Sequence, residues 1–348
     1  MSGNQARLRV LMVVGDYPTE SRPILTFVAS QVDSLRALGV HCEVWNLSEL
    51  GRGRGKYLRG LTRIRSQVRA DVDLVHAHFG YCGWIARWQT RRPVVVSFLG
   101  VDLLGSRDAR GRLSGFGRAV VGVNRRLARS VDAVIVKSQE MARVLAPART
   151  HVIANGVDLE MFRPHDRRAV RATLGWAPEG HYVLFSNCPH RAIKNFPLAR
   201  AAVDAAERRL GHAINLVPLC EVPFRSVAKY MSAADALIMT SHSEGSPNVV
   251  KEALACNLPV ISVPVGDVAD LLAGLEGCTV SPRDPEALAR AIADRVTAAA
   301  AIDGRSALLA RGLDLQSVAR RVLAIYTEVL ARRANPSPGR STAVSLPS

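Results

Sequence analysis

The chain lacks any apolar run near the roughly 18 residues that a membrane-spanning helix needs. Its start, Met1 to Arg9, is polar and basic, with no hydrophobic signal core behind it. These two absences predict a cytoplasmic protein. The six cysteines, Cys42, Cys82, Cys188, Cys220, Cys256 and Cys278, include no Cys-x-x-Cys pair. That spacing argues against a zinc site or a disulfide frame and predicts reduced, buried thiols. Aromatic residues are scarce, at 5%, and no helix-turn-helix, zinc-finger or RNP pattern occurs, so nucleic acid is not an expected partner. Acids are also in deficit: 30 Asp and Glu face 46 Lys and Arg, for a net charge of +16. Most of the excess falls in residues 1–163, with 25 basic against 13 acidic residues, which calls for an acidic partner surface there.

What is present is hydrophobic and periodic. At 348 residues and 48% hydrophobic content, the chain has room for two packed cores. Runs rich in Val, Ile and Leu recur at Val10–Val14, Cys42–Asn46, Leu74–Ala77, Val94–Phe98, Ala133–Val136 and His151–Ile153, as strands covered on both faces require. A second series follows at Tyr182–Ser186, Ile214–Val217, Ala236–Met239 and Pro259–Val263. Helical patterns lie between them, so the expected class is α/β with two doubly wound domains. The turn Asn155-Gly156 and the helix-blocking Pro164 mark the boundary.

The most informative segment is Ser-Glu-Gly-Ser-Pro-Asn-Val-Val-Lys-Glu-Ala-Leu-Ala, Ser243 to Ala255. Glu244 and Glu252 are separated by seven residues: Glu244 lies in a turn after a strand-like run, and Glu252 lies two turns into a probable helix. The C-terminal end of a parallel strand opening into a helix is where such sheets bind ligands. The first helical amides favour a phosphate or diphosphate there, and the two carboxylates can grip sugar hydroxyls. His76 and His78 end another strand of the first half. Two basic segments, 52–69 and 107–129, each hold seven Lys/Arg; the second interleaves them with Leu113, Phe116, Val120, Val121, Val123 and Leu127, which suits a helix lying on an anionic bilayer.

The Glu-x7-Glu run, with Asp235, Thr240-Ser241, Pro259-Val260 and Gly266-Asp267, resembles the donor-site signature of retaining glycosyltransferase family 4. The resemblance implies the GT-B fold: two Rossmann-like domains, 1–163 for the acceptor and 164–314 for the nucleotide sugar, facing a central cleft. A helix over 315–334 packs back on the fold, and a Pro/Ser-rich tail, 335–348, is expected to be disordered. It implies a metal-independent transfer with no cofactor, from a UDP- or GDP-sugar to a lipid-linked or oligosaccharide acceptor, in cell-surface polysaccharide synthesis at the inner face of the membrane. Carried over by residue, Glu252 holds the ribose, while Glu244 orients the transferred sugar. Backbone amides of Gly245, Ser246 and Asn248 face the donor, and Lys194 with Arg191 steadies the departing diphosphate. Gly15, Asp16, His76, Gly100 and Asp102 fall on the acceptor side, with His78 near the chemistry. Three positions depart from the family pattern. Leu99 stands where relatives carry a histidine, Leu25 where they carry a glycine, and Asn187 or Cys188 where they carry an arginine. The Leu99 departure leaves open a non-catalytic sugar-nucleotide-binding scaffold; another GT-B enzyme, such as a nucleotide-sugar epimerase, is the other alternative.

Overall fold

The computed structural model describes residues 7–19, 25–105, 112–298 and 302–335. The expected disordered tail, beyond Asn335, and residues 107–111 of the second basic segment lie outside the described residues.

Two all-parallel sheets form the two lobes. The first has six strands: β1 (Arg9–Val14), β2 (His41–Asn46), β3 (Leu74–His78), β4 (Val94–Ser97), β5 (Ala133–Val136) and β6 (His151–Val152), in the order β2-β1-β3-β4-β5-β6. The second has five: β7 (Tyr182–Phe185), β8 (Asn215–Pro218), β9 (Ala236–Met239), β10 (Val260–Ser262) and β11 (Thr279–Val280), in the order β11-β10-β9-β7-β8. All residues of β3, β4, β5, β7, β9 and β10 are buried, because helices cover both faces of each sheet. Ten of these strands coincide with the apolar runs of the sequence. The short edge strand β11, with Val280 exposed, has too little apolar content to stand out.

Each sheet reverses its strand order once, between β1 and β3 in the first lobe and between β7 and β9 in the second. Ligands of open α/β sheets sit beyond the strand ends at such a reversal. Gly15 and His78 at the first reversal, and Lys194 and Glu244 beyond the second, line the cavities between and beside the lobes.

The chain crosses between lobes twice, at adjacent places. Val157 bridges to Asp314, and its amide donates to the Leu313 carbonyl at 2.9 Å. A Cβ on Gly156 would stand 2.9 Å from the Leu315 Cα, so only glycine lets the two crossovers pass this closely. Val157 and Phe162 already pack into the second lobe's core, ahead of residue 163. After the second crossing, the helix Leu315–Ala334 buries Val318, Val322, Ile325, Tyr326 and Val329 against Val10, Met12, Leu74 and Ile135 of the first lobe. Among the described residues, no helix is long and apolar enough to cross a membrane.

Candidate active site in the cleft between the lobes

The second lobe supplies charge. The loop after β7 carries Arg191 and Lys194 and closes with Asn195 in a left-handed conformation (φ 54°). The Thr240 hydroxyl holds this loop by donating to the carbonyls of Lys194 (3.0 Å) and Asn195 (2.9 Å). Lys194 Nζ then reaches Glu244 Oε1 at 2.7 Å, with the two side chains 13% and 16% exposed. Arg191 is exposed and donates to Asn187 Oδ1 at 3.3 Å. These three residues line a cavity of about 310 Å³ with Gly245, Leu99, Gly100 and Val101, so both lobes wall it. The lobes approach so closely that a Cβ on Gly100, itself at φ 139°, would lie 3.8 Å from the Gly245 amide nitrogen.

The helix Asn248–Ala255 continues the site. Glu252 does not share Glu244's cavity. It is half-buried in a neighbouring recess with Thr26, Ser30, Gly156, Asp158, Asn248 and Phe224. The protein packed around it raises its carboxyl to about 7, against the opposing pull of Lys251. Lys251 is fully buried and donates to the Asn155 carbonyl (2.8 Å) and to Ser246 Oγ (3.2 Å); burial lowers its ammonium to about 8. Ser246 also bonds the Asp267 carboxylate, and Asn248 Oδ1 accepts from Asn155 Nδ2 at 3.3 Å. The side chains of Ser246 and Asn248 thus brace the loop.

The first lobe supplies a mostly apolar cavity of about 320 Å³, lined by Val14, Gly15, Asp16, Leu25, Phe27, Tyr57, His78, Phe79 and Leu99. His78 is 3% exposed, and neither ring nitrogen has a hydrogen-bond partner. Burial first, and then the charge of Lys137, lowers its pKa to about 3, so the ring is neutral at physiological pH. A neutral imidazole with an unused acceptor and an unused donor, set in an apolar wall, suits a hydroxyl-bearing ligand. Lys56 Nζ pins the loop beside it, donating to the Gly15 carbonyl (2.6 Å) and to Asp16 Oδ2 (2.8 Å).

Several sequence expectations are corrected here. His76 does not face the cleft: it is fully buried, with Nδ1 2.5 Å from the Tyr326 hydroxyl and Nε2 2.8 Å from Ser97 Oγ, and it locks the C-terminal helix to the sheet. Asp102 does not reach an acceptor either. It is 1% exposed and accepts from the amides of Leu99 (3.0 Å), Gly100 (2.9 Å) and Gly80 (3.2 Å), shaping the loop that carries Leu99. Lys56 belongs to the basic segment 52–69 but is buried against Asp16, so it is not part of a surface patch. The thiols are not all free: Cys188 and Cys220, at the ends of β7 and β8, form a disulfide. Leu25, where glycine was expected, holds the left-handed conformation (φ 51°) ahead of the helix Thr26–Ala37, a conformation glycine adopts without strain.

Two buried lysines escaped the sequence reading. Lys137 directly follows β5 and is 3% exposed; burial and the nearby Lys251 lower it to about 7. Lys251 sits inside the acid-pair run itself. Position at a strand end was the available signal for Lys137, and membership of the motif was the signal for Lys251.

Two family models match the chain: "Glycosyltransferase Family 4" over residues 24–161 and "Glycosyl transferases group 1" over residues 197–298. The D-inositol 3-phosphate glycosyltransferase 1 of Catenulispora acidiphila is 26% identical over 328 residues, covering 81% of this chain and 77% of that protein. The Bacillus subtilis glycosyltransferase TuaC, provisionally assigned to teichuronic acid biosynthesis, is 28% identical over 270 residues, covering 69% and 67%. Among solved structures, a sucrose-phosphate synthase from Thermosynechococcus elongatus superposes with a TM-score of 0.73 at 18% identity, covering 93% of this chain and 100% of that one. HepE of Anabaena, in complex with UDP and glucose, superposes at 0.66 with 17% identity, covering 92% and 100%. With the two facing parallel sheets and the matched segments in both lobes, the chain belongs to the family 4 glycosyltransferases of GT-B fold.

Proposed function

We propose that this enzyme transfers a sugar from a UDP- or GDP-sugar, with retained anomeric configuration, to a glycan acceptor carried on a lipid at the inner face of a membrane. The observation that carries the reading is the Lys194–Glu244 pair at 2.7 Å, set beside Arg191 at the mouth of a cavity walled by both lobes. Fixed cations next to a cavity of this size suit a diphosphate leaving group, whose charge grows as its bond to the sugar breaks. In this reading the Glu252 carboxylate, in the neighbouring recess, accepts hydrogen bonds from the ribose hydroxyls. The structure of HepE with UDP and glucose is a GT-B relative in fold, and supports a nucleotide-sugar donor here.

In this reading Lys194 and Arg191 hold the diphosphate without a metal ion at the leaving group, and Glu244 orients the sugar. The bond from the anomeric carbon to the diphosphate oxygen breaks, and the acceptor oxygen bonds to that carbon on the same face. The acceptor proton passes to a diphosphate oxygen. His78, neutral and unpartnered, binds an acceptor hydroxyl from the first lobe. It offers the polar contact that Leu99 cannot give. Contact between Gly100 and Gly245 helps exclude water that would hydrolyse the donor.

The membrane part of the reading rests on one surface. Leu58 (69% exposed), Phe116 (54%) and Val123 (45%) stand out on the helices Gly55–Gln67 and Gly115–Ser130, and the Arg54 guanidinium lies 5.2 Å from the centre of the Phe116 ring. Exposed apolar groups framed by arginine suit an anionic bilayer.

The test is a thermal-shift screen of UDP- and GDP-sugars, because a specific donor raises the melting temperature by mass action. Transfer to lipid-linked acceptors is then followed with the donor that binds, and the product anomer is read by NMR. Donor binding with no transfer to any acceptor supports the scaffold alternative instead. A donor altered without acceptor supports an epimerase, and an inverted product overturns the retaining mechanism.

A further inference from the structure

In the loop that also carries Arg191 and Lys194, and in the loop beside it, lies a set of ligand atoms to which the reaction gives no role. Cys188 lies in the loop after β7 and Cys220 in the loop after β8, and these strands pair side by side. The cysteine Cα atoms are 4.4 Å apart and the sulfurs are bonded. The exposed His190, two residues beyond Cys188, brings a ring nitrogen into the group, so that the two sulfurs and the nitrogen all lie within 4.8 Å of one another. The turn that does this is held by the Cys188 amide donating to Asn187 Oδ1 at 2.9 Å and by the Arg191 amide donating to the Cys188 carbonyl at 3.2 Å. Among the described residues this is the one such cluster, and Cys42, Cys82 and Cys256 are buried elsewhere.

Two thiolates and one imidazole form a donor set that suits Zn²⁺, with a fourth position left for water. Tetrahedral Zn–S bonds of about 2.3 Å hold two sulfurs about 3.8 Å apart, too far for a disulfide. Metal and disulfide therefore exclude each other. We propose that Cys188, His190 and Cys220 form a zinc-class metal site in the reduced protein, and that the disulfide is the oxidised form of that site. A dithiol reductant gives two electrons and two protons to the S–S bond, yielding two thiols and its own disulfide. Zn²⁺ then binds the two sulfurs and the imidazole, displacing two protons to solvent. Both states staple the loop bearing Arg191 and Lys194 to the β8 side of the sheet. Any effect on donor affinity rests on the role given to Lys194 above, so the test reads the metal itself.

Full-length protein, reduced with a phosphine that is then removed anaerobically, is titrated with Co²⁺. The expected result is one equivalent bound, with a sulfur-to-cobalt charge-transfer band and the strong visible bands of a tetrahedral site, all bleached by Zn²⁺. Cys188→Ser and Cys220→Ser each weaken Co²⁺ binding and cut the charge-transfer intensity to about half or less, because one sulfur remains, and Cys188→Ser with Cys220→Ser together abolish it. His190→Ala, at an exposed position, weakens Co²⁺ binding about tenfold or more. Protein oxidised until two thiols are lost binds no Co²⁺. Absence of the bands in reduced protein overturns the proposal. So does undiminished band intensity in the folded cysteine variants, or unchanged affinity in His190→Ala.

Discussion

The two walls of the cleft are chemically opposite. The second lobe presents Lys194, Arg191, Glu244 and Glu252, while the first presents Leu25, Phe27, Tyr57, Phe79 and Leu99 around one neutral histidine. A charged leaving group needs fixed charges against it, whereas a neutral hydroxyl needs one hydrogen-bonding group and little competing water. The contrast supports the proposed placing of the donor on the second wall and of the acceptor on the first.

The largest effect should come from removing charge on the second wall. Lys194→Ala is expected to lower kcat roughly 10²- to 10³-fold, the scale of losing one preorganised donor to developing charge. A loss below about threefold in steady-state transfer rates sets Lys194 outside the reaction.

Glu252→Ala should weaken donor binding by more than tenfold, measured by calorimetry. Its carboxyl, raised to about 7, is ionised above that pH and protonated below it. If the carboxylate accepts from the ribose, affinity falls by up to about tenfold per unit as pH drops below 7. Glu252→Gln should flatten that profile, and a profile left unchanged assigns the pH dependence to another group.

The first wall should instead reveal itself in acid stability. The unfolded chain takes up a proton on His78 below about 6.5, whereas the folded chain does so only near 3. Stability from this site is therefore fully present above the unfolded value and is lost as pH falls from about 6.5 toward 3, by about 1.4 kcal/mol per unit. His76, lowered in the same direction by burial, adds to the loss. Urea titrations of His78→Gln across this range should show a shallower decline, and an equal slope contradicts the buried neutral ring.

The smallest effect concerns the outer face of the first lobe. Each cation near an anionic bilayer contributes on the order of 1 kcal/mol, and salt screens it. Raising salt should release the protein from phosphatidylserine vesicles in flotation, and Arg54→Glu with Phe116→Ser should do so at low salt. Partitioning indifferent to both points to a different docking face.

How much of this was legible in the sequence follows the range of the interactions. The strands announced themselves through β-branched runs, and the Glu244 loop through its turn residues and helix start, all local signals. His76 and His78 share one strand and one alternation phase, so nothing local marks His76 as the structural one. Tyr326, 250 positions away in sequence, decides that His76 is structural. Asp102 looked like a site acid until the amides it accepts from were in view. The Cys188–Cys220 pair was hidden because spacing along the chain carries no record of which strands lie side by side. Lys137 and Lys251 carry no local mark of burial; the fold buries them to 3% and 0% exposed.

The sharpest check is calorimetric titration of the wild type, Lys194→Ala, Glu252→Ala and His78→Gln with UDP and GDP. One nucleotide should bind the wild type, losing more than tenfold in affinity in the first two variants and under about twofold in His78→Gln. A nucleotide whose binding ignores both second-lobe changes and depends on His78 would place the donor on the opposite wall.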